Sequence, residues 1–212
     1  MKKWERYKEH LETGLWHVHT NYTDGKNSVF EFCQKAQDKG FSSIAFTEHV
    51  RKELTYNFDN FLADISKARD KFDIKIIAGC EAGVLDEKGT LDISEEVLKK
   101  CEVVFAAFHR PIQTHADYLK AVMNMLQNPN VDAWAHPHFI PAKIMPTGFM
   151  IPSDTMHLSV DELKSIMALA AKNNVLIENS VRYQTPEDFI AVAKLQGATI
   201  FKGYDAHNVD EI

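Results

Sequence analysis

The order of apolar and polar residues predicts an α/β chain of parallel strands joined by right-handed helical crossovers. The first observation behind this is an alternation: seven short runs rich in Val, Ile, Phe or Ala are interleaved with six longer stretches whose apolar residues recur every three or four positions. The second is positional, since residues of metal-ligating type fall where the short runs end. The alternation alone leaves two architectures open, a doubly wound open sheet and a closed barrel.

Strands are expected over residues 15–20, 43–47, 74–79, 103–108, 133–136, 175–178 and 199–203, each too short to be a helix. Helices are expected over residues 29–39, 58–72, 94–100, 116–127, 160–173 and 186–195. Gly40 and Gly197 sit where two of the helices should stop. Ser159, with Glu162 three residues on, reads as a capping box opening the fifth helix. Only residues 137–158 break the rhythm, a stretch rich in Pro and Met without a clear period. A loop of that length in a compact domain is more often functional than idle. Phe139, Met145, Phe149, Met150 and Met156 suit a substrate lid, an apolar patch over the rim or a dimer contact. No repeat or linker divides the chain, so residues 1–212 are read as a single domain.

Composition narrows the function classes. With 45% hydrophobic and 25% charged residues the chain reads as ordinary globular protein rather than disordered chain. No apolar run is long enough to span a membrane, and the charged first eleven residues lack a signal-peptide core. Cys33, Cys80 and Cys101 are too few and too scattered for a disulfide framework, which points to a reducing, cytoplasmic setting. A formal charge of −6 disfavours a broad nucleic-acid surface, while leaving room for a local basic groove.

Histidine carries the chemistry. The chain has ten, several in close pairs: His17 with His19, His136 with His138, and His207 beside Asp205. Asp24 follows the first strand, Glu48 and His49 the second, Glu81 the third, His109 the fourth, His136 the fifth, Glu178 the sixth, and Asp205 with His207 the seventh. In a parallel barrel these ends share the face on which catalysis occurs. Histidine and carboxylate without recurring cysteine suit Zn, Mn or Fe rather than a thiolate-rich structural site. The donors outnumber what one ion can use, which favours two or three divalent ions sharing bridging carboxylates.

These motifs, His17-Val18-His19 with Thr23-Asp24-Gly25, Thr47-Glu48-His49, Gly79-Cys80-Glu81-Ala82, Phe108-His109, Ala135-His136-Pro137 and Asp205-Ala206-His207, resemble those of the PHP (polymerase and histidinol phosphatase) family in order and over nearly the whole chain. The resemblance implies a distorted (β/α)7 barrel, TIM-barrel-like, with a trinuclear metal centre and phosphoester hydrolysis. It assigns His17, His19, Glu81 and Asp205 to one ion, Glu81, His109 and His136 to a second, and Asp24, His49 and His207 to a third. Glu48 stands where the family usually has Asp, and is expected to orient a ligand ring rather than bind metal. Few residues follow His207, so the last helix is expected to be short or absent.

Such a centre would turn a bridging water into a nucleophile for in-line attack on phosphorus. A phosphate also needs cations outside the metal shell, and Arg51, Arg110 and Arg182, all near strand ends, are the candidates. The expected activity is hydrolysis of a small phosphorylated metabolite. An exonuclease or phosphodiesterase acting on nucleic-acid ends, and a noncatalytic metal-stabilised module serving a partner, are the alternatives.

Overall fold

Local sequence sets the helices of the computed structural model, which describes residues 1–110, 112, 114–139, 141–144, 150–152 and 158–212. Helix α1 (Val29–Asp38) opens with a Ser28–Glu31 capping box and α5 (Val160–Lys172) with Ser159–Glu162. In α2 (Phe58–Lys71) the Asn57 side chain accepts the Asp59 and Asn60 N–H groups. Ser94 and Thr114 do the same for α3 (Glu95–Lys100) and α4 (His115–Gln127), whereas α6 (Glu187–Leu195) has only Pro186 at its start. Gly40 and Gly197 take φ of 76° and 77° just past α1 and α6, a conformation open to glycine at little cost.

Between the helices run β1 (Leu15–Val18), β2 (Ser43–Val50), β3 (Lys75–Gly83), β4 (Val103–Ala107), β5 (Ala133–Trp134), β8 (Leu176–Ser180) and β9 (Ile200–Ala206). All pair in parallel, in the order β1-β2-β3-β4-β5-β8-β9, and β9 pairs with β1 to close the barrel. The alternative of an open sheet is thereby excluded. Side chains alternate across the wall. Ala45, Ile77, Phe105, Leu176 and Phe201 fill the interior with Trp16, while Phe46, Ala78, Val104, Trp134 and Ile177 pack outward against Phe32, Phe61, Ile65, Val122 and Met167 of the helices.

Two features were not foreseen. A 3-10 segment, Lys3–His10, packs Trp4 and Tyr7 into the interior cluster. Lys2 Nζ donates to the Asn128 and Val131 carbonyls, Lys3 Nζ to those of Leu98 and Cys101, and Asp132 accepts the Trp4 N–H at 3.1 Å. The plug covers the end of the barrel from which β4 and β5 start. Within residues 137–158, expected to be a loop, β6 (Pro141–Ile144) and β7 (Met150–Pro152) pair as an antiparallel hairpin. Of the lid candidates, Met145, Phe149 and Met156 lie outside the described residues. After His207 one 3-10 turn, Val209–Glu211, stands where a last barrel helix would run.

Candidate metal centre

The C-terminal ends of the barrel strands bring together all nine residues expected to bind metal. Glu81, buried on β3, is the hub. Its oxygens lie 3.4 Å from His17 Nε2, 3.7 Å from His19 Nε2, 3.0 Å from His49 Nδ1, 3.2 Å from His109 Nε2 and 3.0 Å from His136 Nε2. Asp205, at the end of β9, stands 3.5 Å from His17 Nε2 and 3.2 Å from His19 Nε2. On the outer side Asp24 reaches His49 Nε2 at 3.4 Å and His207 Nε2 at 3.3 Å.

The donors fall into three overlapping groups, each with one ligand atom per residue and all atoms within 4.8 Å of one another: His17, His19 and Asp205; His49, Glu81 and His109; His19, Asp24, His49 and His207. The grouping differs in detail from the expected one. His19 and His49 each belong to two groups, Glu81 to one rather than the expected two, and His136 to none, meeting the cradle only through Glu81.

Local backbone geometry aims these side chains. Two residues apart on an ideal strand would suffice to put His17 and His19 on one side. The structure instead shifts register between Trp16 and Val18 and gives His17 a φ of 69°. His136 and Asp205 are also left-handed, at 31° and 49°. Left-handed backbone at a residue bearing a Cβ costs on the order of 1–3 kcal/mol and tends to mark functional sites. Glu178, buried on β8, holds two of the strained residues: one oxygen accepts from His17 Nδ1 at 2.8 Å and the other from the His136 backbone N–H.

Glu48 does something other than the ring orientation expected of it. Its side chain points to the loop after β1, accepting the Thr20 N–H at 2.9 Å and the Thr23 hydroxyl at 2.6 Å. Adjacent strand residues face opposite sides, so with His49 turned into the barrel mouth, Glu48 must face outward. It thereby fixes the loop that carries Asp24. Its own pKa is raised by burial.

The electrostatics match a cation cradle. Burial alone would raise the Glu81 and Asp205 pKa values, yet the surrounding histidines hold both carboxyls below their usual range. Burial likewise lowers imidazole pKa values and takes His19 down to about 3, whereas Asp24 and Glu81 overcome it at His49 and push that ring up to about 10. The donor set fits divalent ions. His17 Nε2 and His19 Nε2 are buried without a hydrogen-bond partner among the described residues, and both face carboxylates across the cradle. An ion accepted by those nitrogens would satisfy atoms that the protein leaves unpaired.

The arginines divide. Arg182 touches the cradle, donating from Nη1 to the Asp205 carbonyl at 3.3 Å, the same carbonyl that accepts from His207 Nδ1 at 2.9 Å. Arg51 and Arg110 lie on the far side of His49 and His109, beside Asp92. His138 stays out of the cradle and donates from Nε2 to the Tyr183 carbonyl at 2.9 Å. His10 and His115 bond to Ser42 and Glu162 away from the site, and His157 is outside the described residues. Asp92, Tyr183 and Gly203, whose lack of a Cβ leaves room for the Glu178 carboxylate, were missed from sequence. Tyr183 packs on the His136 ring, 5.0 Å between centroids, and only its place beside Arg182 hinted at it. A cleft of about 270 Å³ opens against the cradle between Thr23, Asp24, His49, Arg51 and Tyr56.

A closed parallel barrel whose strand ends converge on buried histidines and carboxylates is the arrangement in which metal-dependent hydrolases hold divalent ions. The sequence model of the PHP domain matches residues 16–184, and the chain belongs to the PHP family, which places it among phosphoester hydrolases. It is 28% identical over 209 residues to the DNA polymerase/3'-5' exonuclease PolX of Bacillus subtilis, covering 93% of this chain but 34% of that protein. It is also 28% identical over 200 residues to a "probable phosphatase" of Acetivibrio thermocellus, covering 90% of this chain and 78% of the relative. The fold matches the crystal structure of histidinol phosphate phosphatase from Lactococcus lactis, complexed with zinc, L-histidinol and phosphate, with a TM-score of 0.67, 19% identity, and coverage of 93% of this chain and 87% of the other. Among the described residues, no helix is long and apolar enough to cross a membrane.

Proposed function

We propose that the chain is a metal-dependent phosphomonoesterase acting on a small phosphorylated metabolite in the cytoplasm, with two or three divalent ions, Zn, Mn or Fe, held by His17, His19, Asp24, His49, Glu81, His109, His136, Asp205 and His207. The observation that carries this reading is the convergence of eight of those residues into three overlapping donor groups on one face of the barrel, with His136 joined to them through Glu81 at 3.0 Å. Divalent ions in such a cradle supply Lewis acidity and acidify water for attack on phosphorus.

The chain's own residues do the remaining work. Glu178 fixes the tautomer of His17, leaving Nε2 free to ligate. Glu48 holds the Asp24 loop against the cradle. Arg182, already oriented by Asp205, offers a guanidinium to the nonbridging phosphate oxygens. A cleft of about 270 Å³ fits an alcohol of metabolite size better than a nucleic-acid strand.

The test is elemental analysis of the purified chain combined with phosphate release from a metabolite panel, on wild type and His109→Ala. Bound metal, and turnover that the substitution abolishes, are expected. A metal-loaded, folded sample that frees no phosphate from any monoester would defeat the proposal. The match to PolX over 93% of this chain supports an exonuclease as second reading, against which the formal charge of −6 speaks. Stepwise trimming of oligonucleotides, with no release from small monoesters, would establish it.

A further inference from the structure

The notch beyond His49 and His109 is built differently from the cradle. Arg51 lies two residues past His49, and Arg110 directly follows His109. Strands β2 and β4 flank β3, so the two arginines stand on either side of the point where β3 ends. Asp92 lies between them. Its Oδ2 is 3.9 Å from an Arg51 terminal nitrogen and 4.0 Å from one of Arg110, while its Oδ1 accepts the Lys52 N–H at 3.0 Å. His49, Arg51, Asp92, His109 and Arg110 all line the same notch, so two of its walls are candidate metal ligands.

Among the described residues these arginines make only long ion pairs, both to Asp92. Arg69 shows what a structural arginine does here: it donates to the Ile76 carbonyl from two nitrogens and to Glu102 at 2.6 Å. Arg51 and Arg110 make no side-chain hydrogen bond among the described residues, and both side chains are 57% exposed. Separations of 3.9 and 4.0 Å are too long for hydrogen bonds. One carboxylate facing two guanidiniums leaves the trio with a net positive charge, next to a cradle that is itself to receive cations. Like charges placed together in this way become favourable when an anion joins them. The notch itself has room for about one water, roughly 10 Å³, so an anion meets the two side chains at its mouth, where Arg51 also lines the cleft of about 270 Å³.

We infer that Arg51 and Arg110 form a second anion subsite, and that the substrate is a phosphoester whose alcohol portion carries a further anionic group, a carboxylate or a second phosphate. The inference rests on the phosphomonoesterase reading above. Arg182 serves the reacting phosphate, and the Arg51–Arg110 pair serves the far end of the substrate. Asp92 stands between the two arms, and their forked donors suit the paired oxygens of either anion.

The experiment is calorimetric binding to the metal-loaded chain of matched, non-hydrolysable pairs. Each alkylphosphonate of two to four carbons is compared with the same chain bearing a terminal carboxylate, and with the corresponding bisphosphonate. The readout is the affinity ratio within a pair. At the best chain length the second anion should gain about tenfold in wild type, the worth of one charged hydrogen bond. In Arg51→Gln and Arg110→Gln, folding verified by melting temperature, the ratio should fall towards one. The carboxylate and bisphosphonate arms decide which anion is preferred. A wild-type ratio of one at every length, or a ratio that both variants leave untouched, would overturn the subsite. Phosphate release is scored separately. Selective binding without any turnover would keep the subsite and remove the phosphatase reading, whereas turnover with indifferent binding would do the reverse.

Discussion

Replacing Glu178 by Gln should weaken the cradle without changing the volume of the site. Glu178 is buried, and its two oxygens accept from His17 Nδ1 at 2.8 Å and from the His136 backbone N–H. Both partners have left-handed backbone, φ 69° and 31°, so one carboxylate restrains strained segments on two strands. A glutamine has a single acceptor oxygen, and one of the two donors would have to face its NH2 group. Losing one charge-assisted hydrogen bond costs roughly 1.5–3 kcal/mol. In a chain of this size each kcal/mol moves the melting temperature by roughly 2–4 °C, so a fall on the order of 3–12 °C follows. His17 would also lose the partner that fixes its tautomer, which should lower metal affinity by about 10–100-fold. Calorimetric melting of the metal-free chain reads the first effect, and metal titration reads the second. A glutamine variant that melts with wild type and binds metal within about twofold of it would refute this account of Glu178.

Gly203→Ala attacks the same carboxylate from behind: a Cβ there would collide with Glu178 Oε1. Metal affinity should fall with every titratable group retained, and unchanged affinity would show that Glu178 has room to give. Metal uptake should release protons, because His49 is pushed up to about 10 and must ligate as neutral imidazole. Affinity should therefore rise with pH, by up to about tenfold per unit for each proton displaced, and a flat profile between about pH 6 and 8 would count against it. For the metal-free chain the sign reverses. A raised folded-state pKa stabilises below the unfolded value and is lost as pH climbs through about 10, which melting curves can follow. Glu48→Asp, one methylene shorter, should lose its bond to Thr20 N–H or to the Thr23 hydroxyl, costing about 1 kcal/mol and lowering occupancy at the Asp24 group. Full metal stoichiometry with an unchanged melting temperature would contradict that. Ser159→Ala should cost about 1 kcal/mol by uncapping α5, measured by denaturant unfolding.

Much of the site was legible before the structure because its residues end strands. His49, Glu81, His136 and Asp205 stand where apolar runs give way to polar residues, and seven parallel strands bring such ends to one face. What stayed hidden was the support. Glu48 was expected to meet a ring, yet it holds a loop through Thr20 and Thr23. Asp92 lies in an irregular stretch with no motif around it, and only folding puts it between Arg51 and Arg110. The hairpin of β6 and β7 had no period to betray it, each strand being at most four residues long.

The sequence by itself determined the elements and their punctuation. Periods of two and of three to four residues, caps such as Ser28–Glu31, and stops at Gly40 and Gly197 depend on hydrogen bonds and sterics among near neighbours, which travel with the local chain. Tertiary structure alone decided that the sheet closes, that Lys2 and Lys3 plug its base, and that Glu178 joins His17 across 161 residues. Those contacts depend on strand order and register around the whole barrel, and no local window of the sequence carries that information.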